Sequence, residues 1–147
     1  MNFHPPTNAL PPIVLSESEE RRLSALATAS ALTGRSQSVA RALLAEIERA
    51  AVVRDRELPK GVVRMYSWVE FAVDGKDQRC VQLVWPGEAD IARNKVSVLT
   101  PIGAALIGMS PGTTIPLLGH DGQPHRLTVV KIVRHQSSAD DDEQPTE

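Results

Sequence analysis

The stretch that most constrains this chain is Val96–Gly112, VSVLTPIGAALIGMSPG. Two alternating valines, Val96 and Val98, run into Thr100-Pro101 and then into an apolar helical pattern that stops at glycine. Thr100 fits a helix N-cap, its side-chain oxygen accepting a hydrogen bond from the first turn. Pro101 fits the first helical position, where its missing N–H costs nothing and its φ is already helical. Ile102, Ala105, Leu106 and Met109 fall at i, i+3, i+4 and i+7, a single buried stripe. Gly108 suits the left-handed conformation that ends a helix. Ser110-Pro111-Gly112-Thr113 has proline and glycine where a type II turn needs them. The spacing predicts one strand, two turns of helix and a reverse turn, and says nothing of chemistry.

A length of 147 residues supports one domain, or a small domain with an appendage. No apolar run approaches the roughly 18 residues of a membrane span. The N-terminal MNFHPPTNALPPIVL lacks the basic start and continuous apolar core of a signal peptide. Cys80 is the one cysteine, which excludes an internal disulfide and a thiolate metal cluster. A cytoplasmic protein is the expectation. The net charge of −2 conceals a split: residues 1–57 balance, residues 58–136 carry nine basic against six acidic side chains, and the tail holds Asp140, Asp141, Asp142, Glu143 and Glu147. The basic excess of the middle part is far below the footprint of a dedicated nucleic-acid binder.

Along the chain, residues 1–12, with Pro5, Pro6, Pro11 and Pro12, read as a disordered, extended arm. Residues 13–57 read as a short antiparallel coiled coil. Ser16-Glu17-Ser18-Glu19 is a capping box, in which Ser16 and Glu19 are expected to satisfy each other's orphan N–H groups. Leu23, Leu26, Ala27 and Ser30 then face a partner. Gly34 interrupts, Ser36 or Ser38 can cap a second helix, and Val39, Leu43, Ile47 and Ala50 form its apolar stripe. Leu58-Pro59-Lys60-Gly61 opens a second part, 58–135. It is read as a strand over Val62–Val73, a hairpin turn at Asp74-Gly75, a return strand Gln78–Trp85, a loop, the opening stretch, and strands Thr113–Leu118 and Arg126–Val133. Four or five antiparallel strands with one short helix make an α+β domain. Residues 136–147 read as a solvated, disordered acidic tail.

Catalytic chemistry is hard to find. His4, His120, His125 and His135 show neither HxH nor HExxH spacing. Gly119–Gly122 lacks the Lys-Ser/Thr that follows in a phosphate-binding loop. No G-x-S-x-G nucleophile elbow is present, and Asp74, Asp77, Glu88 and Asp90 read as solvated turn residues. Cys80 reads as a packed thiol in a strand. No cofactor or metal site is indicated, and the residues point away from an enzyme.

Ser97–Gly108, SVLTPIGAALIG, resembles the signature of the C-terminal domain of Gre-type transcript elongation factors. The wider pattern is similar to the Rnk branch of that family. It rests on Ala45-Glu46-Ile47-Glu48-Arg49-Ala50, Leu58-Pro59, Val62-Val63-Arg64-Met65 and Leu83-Val84-Trp85-Pro86, and spans roughly residues 13–135. The resemblance implies an FKBP-like C-terminal domain and binding to bacterial RNA polymerase at the rim of its secondary channel. Candidate contacts are Thr100, Pro101, Ile102 and Gly103 at the helix start, with Arg93 and Lys95 before it. In Gre factors a long coiled coil enters the channel, and acids at its tip help hold magnesium for RNA cleavage. Here the tip, Ala27–Ser38 (ATASALTGRSQS), contains no Asp or Glu, and magnesium wants anionic oxygen ligands.

The leading expectation is therefore a non-enzymatic regulator that docks on RNA polymerase, does not cleave transcripts and competes with Gre-type factors. It needs no sequence-specific nucleic-acid contact and no membrane. A monomer is expected, with self-association through the helix pair as the alternative. A second reading is a regulator of nucleoside diphosphate kinase, for which the chain offers no nucleotide site. A third is a peptidyl-prolyl isomerase, whose pocket needs clustered aromatics. Tyr66 and Trp68 share one face of their predicted strand and Phe71 the other, which suits packing better.

Overall fold

Ser16 decides where the first helix starts. In the computed structural model, which describes residues 10–33, 36–118 and 122–134, strand β1 (Val14–Ser16) passes directly into helix α1 (Glu17–Thr33). The Ser16 hydroxyl accepts the Glu19 N–H at 3.3 Å, as the capping box requires. The reciprocal half does not form. Glu19 turns away and accepts the Met65 N–H at 3.1 Å, while the Ser18 N–H is taken by the Asp55 carboxylate at 3.0 Å. Two orphan donors of the first turn are thus satisfied, one of them by a residue far along the chain.

Helix α2 (Gln37–Arg49) returns along α1, and their contact buries Leu23 and Ala27 of the first and Ala40, Leu43 and Ile47 of the second. Ser36 stands at the α2 cap position, but in a left-handed conformation with φ 54° and no side-chain cap bond. Capping by Ser36 is therefore replaced by chain reversal. Gly34 and Arg35 lie outside the described residues. Strand β2 (Ala51–Val53) pairs parallel with β1, Val14 opposite Ala51 and Ser16 opposite Val53. Periodicity gave no sign of this small sheet within 13–57, since three-residue strands are too short to show alternation.

The second part is a sheet with strands β3 (Trp68–Val73), β4 (Lys76–Val84), β5 (Lys95–Ser97), β6 (Thr114–Leu118) and β7 (Pro124–Arg134), and helix α3 (Pro101–Leu106) between β5 and β6. Their order across the sheet is β5-β4-β3-β7-β6. The helical hairpin followed by a strand-rich domain with one short helix is the architecture the sequence pointed to. Asp74 and Gly75 both take positive φ, 55° and 73°, as a two-residue hairpin turn demands.

Two details correct the strand reading. Strand β5 runs parallel to β4, Gln82 opposite Lys95, so the sheet is mixed rather than wholly antiparallel. The loop before β5, with short 3-10 turns at Pro86–Glu88 and Ile91–Arg93, is the crossover that a parallel pair needs. The predicted strand Val62–Val73 begins only at Trp68. Tyr66 is left-handed at φ 71°, and the Ser67 hydroxyl accepts the Arg64 N–H at 3.0 Å, which folds the preceding residues into a turn. Val63 spends its backbone groups on Met109 and Gly108 instead of a sheet neighbour.

One core joins both parts: Leu23, Leu43 and Ile47 from the hairpin meet Phe71, Leu83, Leu127 and Val129 of the sheet and Leu106 and Met109 of the α3 region. Trp68, fully buried, lies outside that cluster. Trp68 and Phe71 of β3 thus pack on opposite faces of the sheet.

Glu19 gives the junction a pH dependence. Burial pushes its carboxyl up; the Met65 N–H, Arg64 and Arg22 pull it down, Asp55 pushes it up, and the rise prevails. Its Oε1 is buried with no hydrogen-bond partner among the described residues. A carboxyl raised by folding contributes stability that is complete below its unfolded value and lost as pH rises through its folded value. Asp55, held low by the Ser18 N–H, has the opposite sign. Urea midpoints across a pH series should therefore show native protein gaining on Glu19→Gln as pH falls from neutral into the raised range. A constant difference between the two proteins would show that Glu19 does not titrate differently on folding.

Candidate partner-binding surface

Four of the six sequence-selected residues, Thr100, Pro101, Ile102 and Gly103, sit where β5 passes into α3, while Arg93 ends the 3-10 turn before β5 and Lys95 opens β5 itself. Thr100 takes an extended conformation, and its hydroxyl accepts the Gly103 N–H at 3.0 Å while donating to the Ser97 carbonyl at 2.7 Å. The Ser97 hydroxyl accepts the Leu99 N–H at 2.9 Å. Strand end and helix start are thereby held by side chains of the same short segment, with Pro101 at the first helical position. At the far end Gly108 is left-handed, φ 79°, and Gly112 takes φ 88° in a turn closed by the Thr113 N–H on the Ser110 carbonyl.

The six expected contacts separate by exposure. Pro101 and Arg93 are exposed, and Thr100 and Ile102 are half-buried. Gly103 is buried because its α-carbon lies against the β5 backbone: a Cβ there would press on the Ser97 carbonyl and stand 2.8 Å from the Val98 Cα. Lys95, expected as a cation beside the helix, is only 5% exposed, with its backbone bridged to Asp90 on both sides. A side chain so enclosed presents no surface to a macromolecule, so the exposed set narrows to Arg93, Pro101 and the outer parts of Thr100 and Ile102.

Two features escaped the sequence reading. Ile91, two residues before Arg93, is 89% exposed, on a 3-10 turn capped by Asp90, whose carboxylate accepts the Ala92 N–H at 3.1 Å. An isolated isoleucine in a polar loop was its only signal. The other feature ties α1 to the sheet domain: the Arg22 guanidinium stacks over the Trp85 ring at 4.2 Å, a cation–π contact. Beside it the Tyr66 hydroxyl donates to Glu88 at 2.8 Å.

The other notable polar contact among the described residues is structural. His125 Nδ1 lies 2.6 Å from Asp74 Oδ2, and Asp74 also accepts the Arg126 N–H. These contacts hold the Asp74 carboxyl below the usual carboxylate range, His125 contributing most. The pair sits at the β3–β4 turn and staples it to β7. His4, His120 and His135 lie outside the described residues. Among the described residues no group of three His, Cys, Asp or Glu side chains is placed to hold a metal ion, and no helix is long and apolar enough to cross a membrane.

Because the β5–α3 elbow depends on a missing side chain, Gly103→Ala should cost about 1–3 kcal/mol, the usual range for overpacking. Gly87→Ala is the control, since nothing lies within 4 Å of a Cβ there, and its change should stay within about 0.5 kcal/mol. Urea unfolding measures both, and equal costs would show that the Ser97 contact does not limit the elbow.

Comparison with known proteins agrees with this geometry. The family model described as "Transcription elongation factor, GreA/GreB, C-term" matches residues 58–134, and one described as "Rnk N-terminus" matches residues 11–53. The chain is 30% identical over 132 residues to the regulator of nucleoside diphosphate kinase of Escherichia coli (strain K12), covering 89% of this chain and 96% of that one. It is 33% identical over 89 residues to transcription elongation factor GreA of Hyphomonas neptunium, covering 60% of this chain and 56% of the relative. A solved structure, a prokaryotic transcription elongation factor GreA/GreB from Nitrosomonas europaea, superposes with a TM-score of 0.64 at 33% identity, over 84% of this chain and 99% of that one. With both of its parts matched in order, the chain belongs to the GreA/GreB transcription elongation factor family, in its Rnk branch.

Proposed function

We propose that this Gre-like factor is a non-enzymatic transcription regulator. It binds bacterial RNA polymerase near the secondary channel through its sheet domain, does not cleave transcripts, and competes with Gre-type factors for the same place. The observation that carries this reading is the contrast between its two ends. The β5–α3 elbow is complete, with cap, proline and close-packed glycine in place. The arm is short: α1 has 17 residues, about 25 Å at 1.5 Å per residue. Its tip sequence from 27 to 38 carries no carboxylate, so it has no anionic oxygen with which to hold magnesium.

Arg93 and Ile91 are the proposed docking pair on the loop before β5, with Pro101 and Ile102 beyond the elbow. Arginine is among the residue types enriched at interface hot spots, and Ile91 beside it offers exposed apolar surface. Lys95 is left out because it is buried, and Gly103 because it shapes the elbow from inside.

A second reading follows from the name borne by relatives such as the Escherichia coli protein, regulator of nucleoside diphosphate kinase. Direct regulation of such a kinase would need no polymerase, so purified kinase alone separates the two. The decisive measurement for the first reading is titration into a transcript-cleavage assay driven by an active Gre factor. Cleavage should fall as the protein is added, and Arg93→Glu should raise the midpoint several-fold. Folded protein that leaves cleavage unchanged at saturating concentration, or that itself accelerates cleavage with magnesium, overturns the proposal.

A further inference from the structure

An apolar groove of about 250 Å³ runs between the hairpin and the sheet domain. One wall is the outer side of α2, with Val39, Ala42 and Glu46; the other is α3 and edge strand β6, with Ala104, Ala105 and Leu117. Its volume is below the roughly 300–1,000 Å³ of pockets for drug-sized ligands. It suits one or two side chains of a peptide.

We propose that the groove is the seat of this chain's own residues 1–9, MNFHPPTNA, with Phe3 and Pro5-Pro6 filling it. Three observations favour this occupant. The first is where the described chain begins. Strand β1 is parallel to β2, which follows α2 directly, so residues before Val14 trace back past the end of α2. Arg49 marks the path: it donates to the Pro11 carbonyl and is paired with Glu46, a groove wall, at 2.5 Å. On the other side, Ile13 packs against Gly108, two residues past the end of α3.

The second observation is reach. From Glu46 to Ser38 the groove follows eight residues of α2, about 12 Å at 1.5 Å per residue. Phe3 precedes Pro11 by eight residues, which span up to about 25 Å when extended. The segment is long enough to run the groove's whole length and place Phe3 at the Ser38 end. The third is chemistry. Residues 1–9 contain no acidic side chain and offer one aromatic and two prolines. The opposite end of the chain, 135–147, carries five acids, and the groove's one charged wall residue is Glu46. Charge selects the N-terminal segment over the tail.

A seated segment bridges α2 to α3 and β6, and so adds to the Arg22–Trp85 contact in restraining the hairpin relative to the sheet domain. Paramagnetic relaxation enhancement tests this on the whole 147-residue chain. A nitroxide on Asn2→Cys in a Cys80→Ser background should attenuate the amides of Ser38, Val39, Ala104 and Leu117. The effect should be unchanged on dilution, and it should vanish when Phe3→Ser is added, with the rest of the spectrum unaltered. Attenuation that persists with Phe3→Ser, or that is confined to residues around Pro11, overturns the proposal. So does attenuation seen only between labelled and isotope-enriched molecules in a mixture, which marks a second copy. A nitroxide on Ser138→Cys should leave the same amides untouched; attenuation from that position instead would assign the groove to the tail.

Discussion

The relation between the arm and the sheet domain depends on a small set of backbone hydrogen bonds around Gly108. Its carbonyl accepts the Val14 N–H at 3.1 Å, and its own N–H donates to Val63 at 2.9 Å. The Val63 N–H reaches Met109 at 2.8 Å, and Ala51 donates to the Ile13 carbonyl at 3.0 Å. Four separate segments meet there: the start of the hairpin, its end, the turn before β3 and the exit of α3. Only glycine takes this place without strain. It is left-handed, and a Cβ would stand 3.0 Å from the Ile13 Cβ and 3.2 Å from the Val14 carbonyl. Side-chain contacts then reinforce the joint, with Glu19 reaching Met65, Asp55 capping α1 and Arg22 lying over Trp85.

What the sequence made legible were features whose causes are local. Thr100-Pro101 as cap and first residue, Asp74-Gly75 as hairpin turn, and the stripe of Leu43 and Ile47 are each set within a few residues. Glu19 shows the limit. Its spacing from Ser16 is that of a capping box, yet its carboxylate finds a better use on a backbone N–H 46 residues away. Nothing in the local pattern records that competitor. Tyr66 is similar, since its left-handed backbone is held by the Leu83 carbonyl, which accepts its N–H. A tyrosine in a run of valines reads as strand until that long-range bond is known.

The candidate surface was legible in position and less so in exposure. Helix-start residues Thr100 and Gly103 emerge as architecture: one ties the elbow by hydrogen bonds and the other by lacking a side chain. Lys95 stands in a strand at the edge of the sheet, and charge alone suggested a solvated side chain. Its burial follows from the crossover loop that packs back over β5 through the paired Asp90 bonds. Exposure of Ile91 has the same origin, because the 3-10 turn that covers the strand directs the isoleucine outward.

The small parallel sheet at the foot of the hairpin has a consequence for how such proteins can diversify. With β1 and β2 fixed to each other and to Gly108, the hairpin is anchored at the end of its helices away from the α1–α2 connection. Residues inserted at the opposite end extend the lever without moving its pivot, each matched pair adding about 1.5 Å of length. To preserve the buried stripe such insertions must keep helical phase, which favours steps near seven residues per helix. Arm length and docking module are therefore mechanically separable traits. One lineage can lengthen and arm its probe while another keeps a short one whose tip has no acid, without redesign of the base they share.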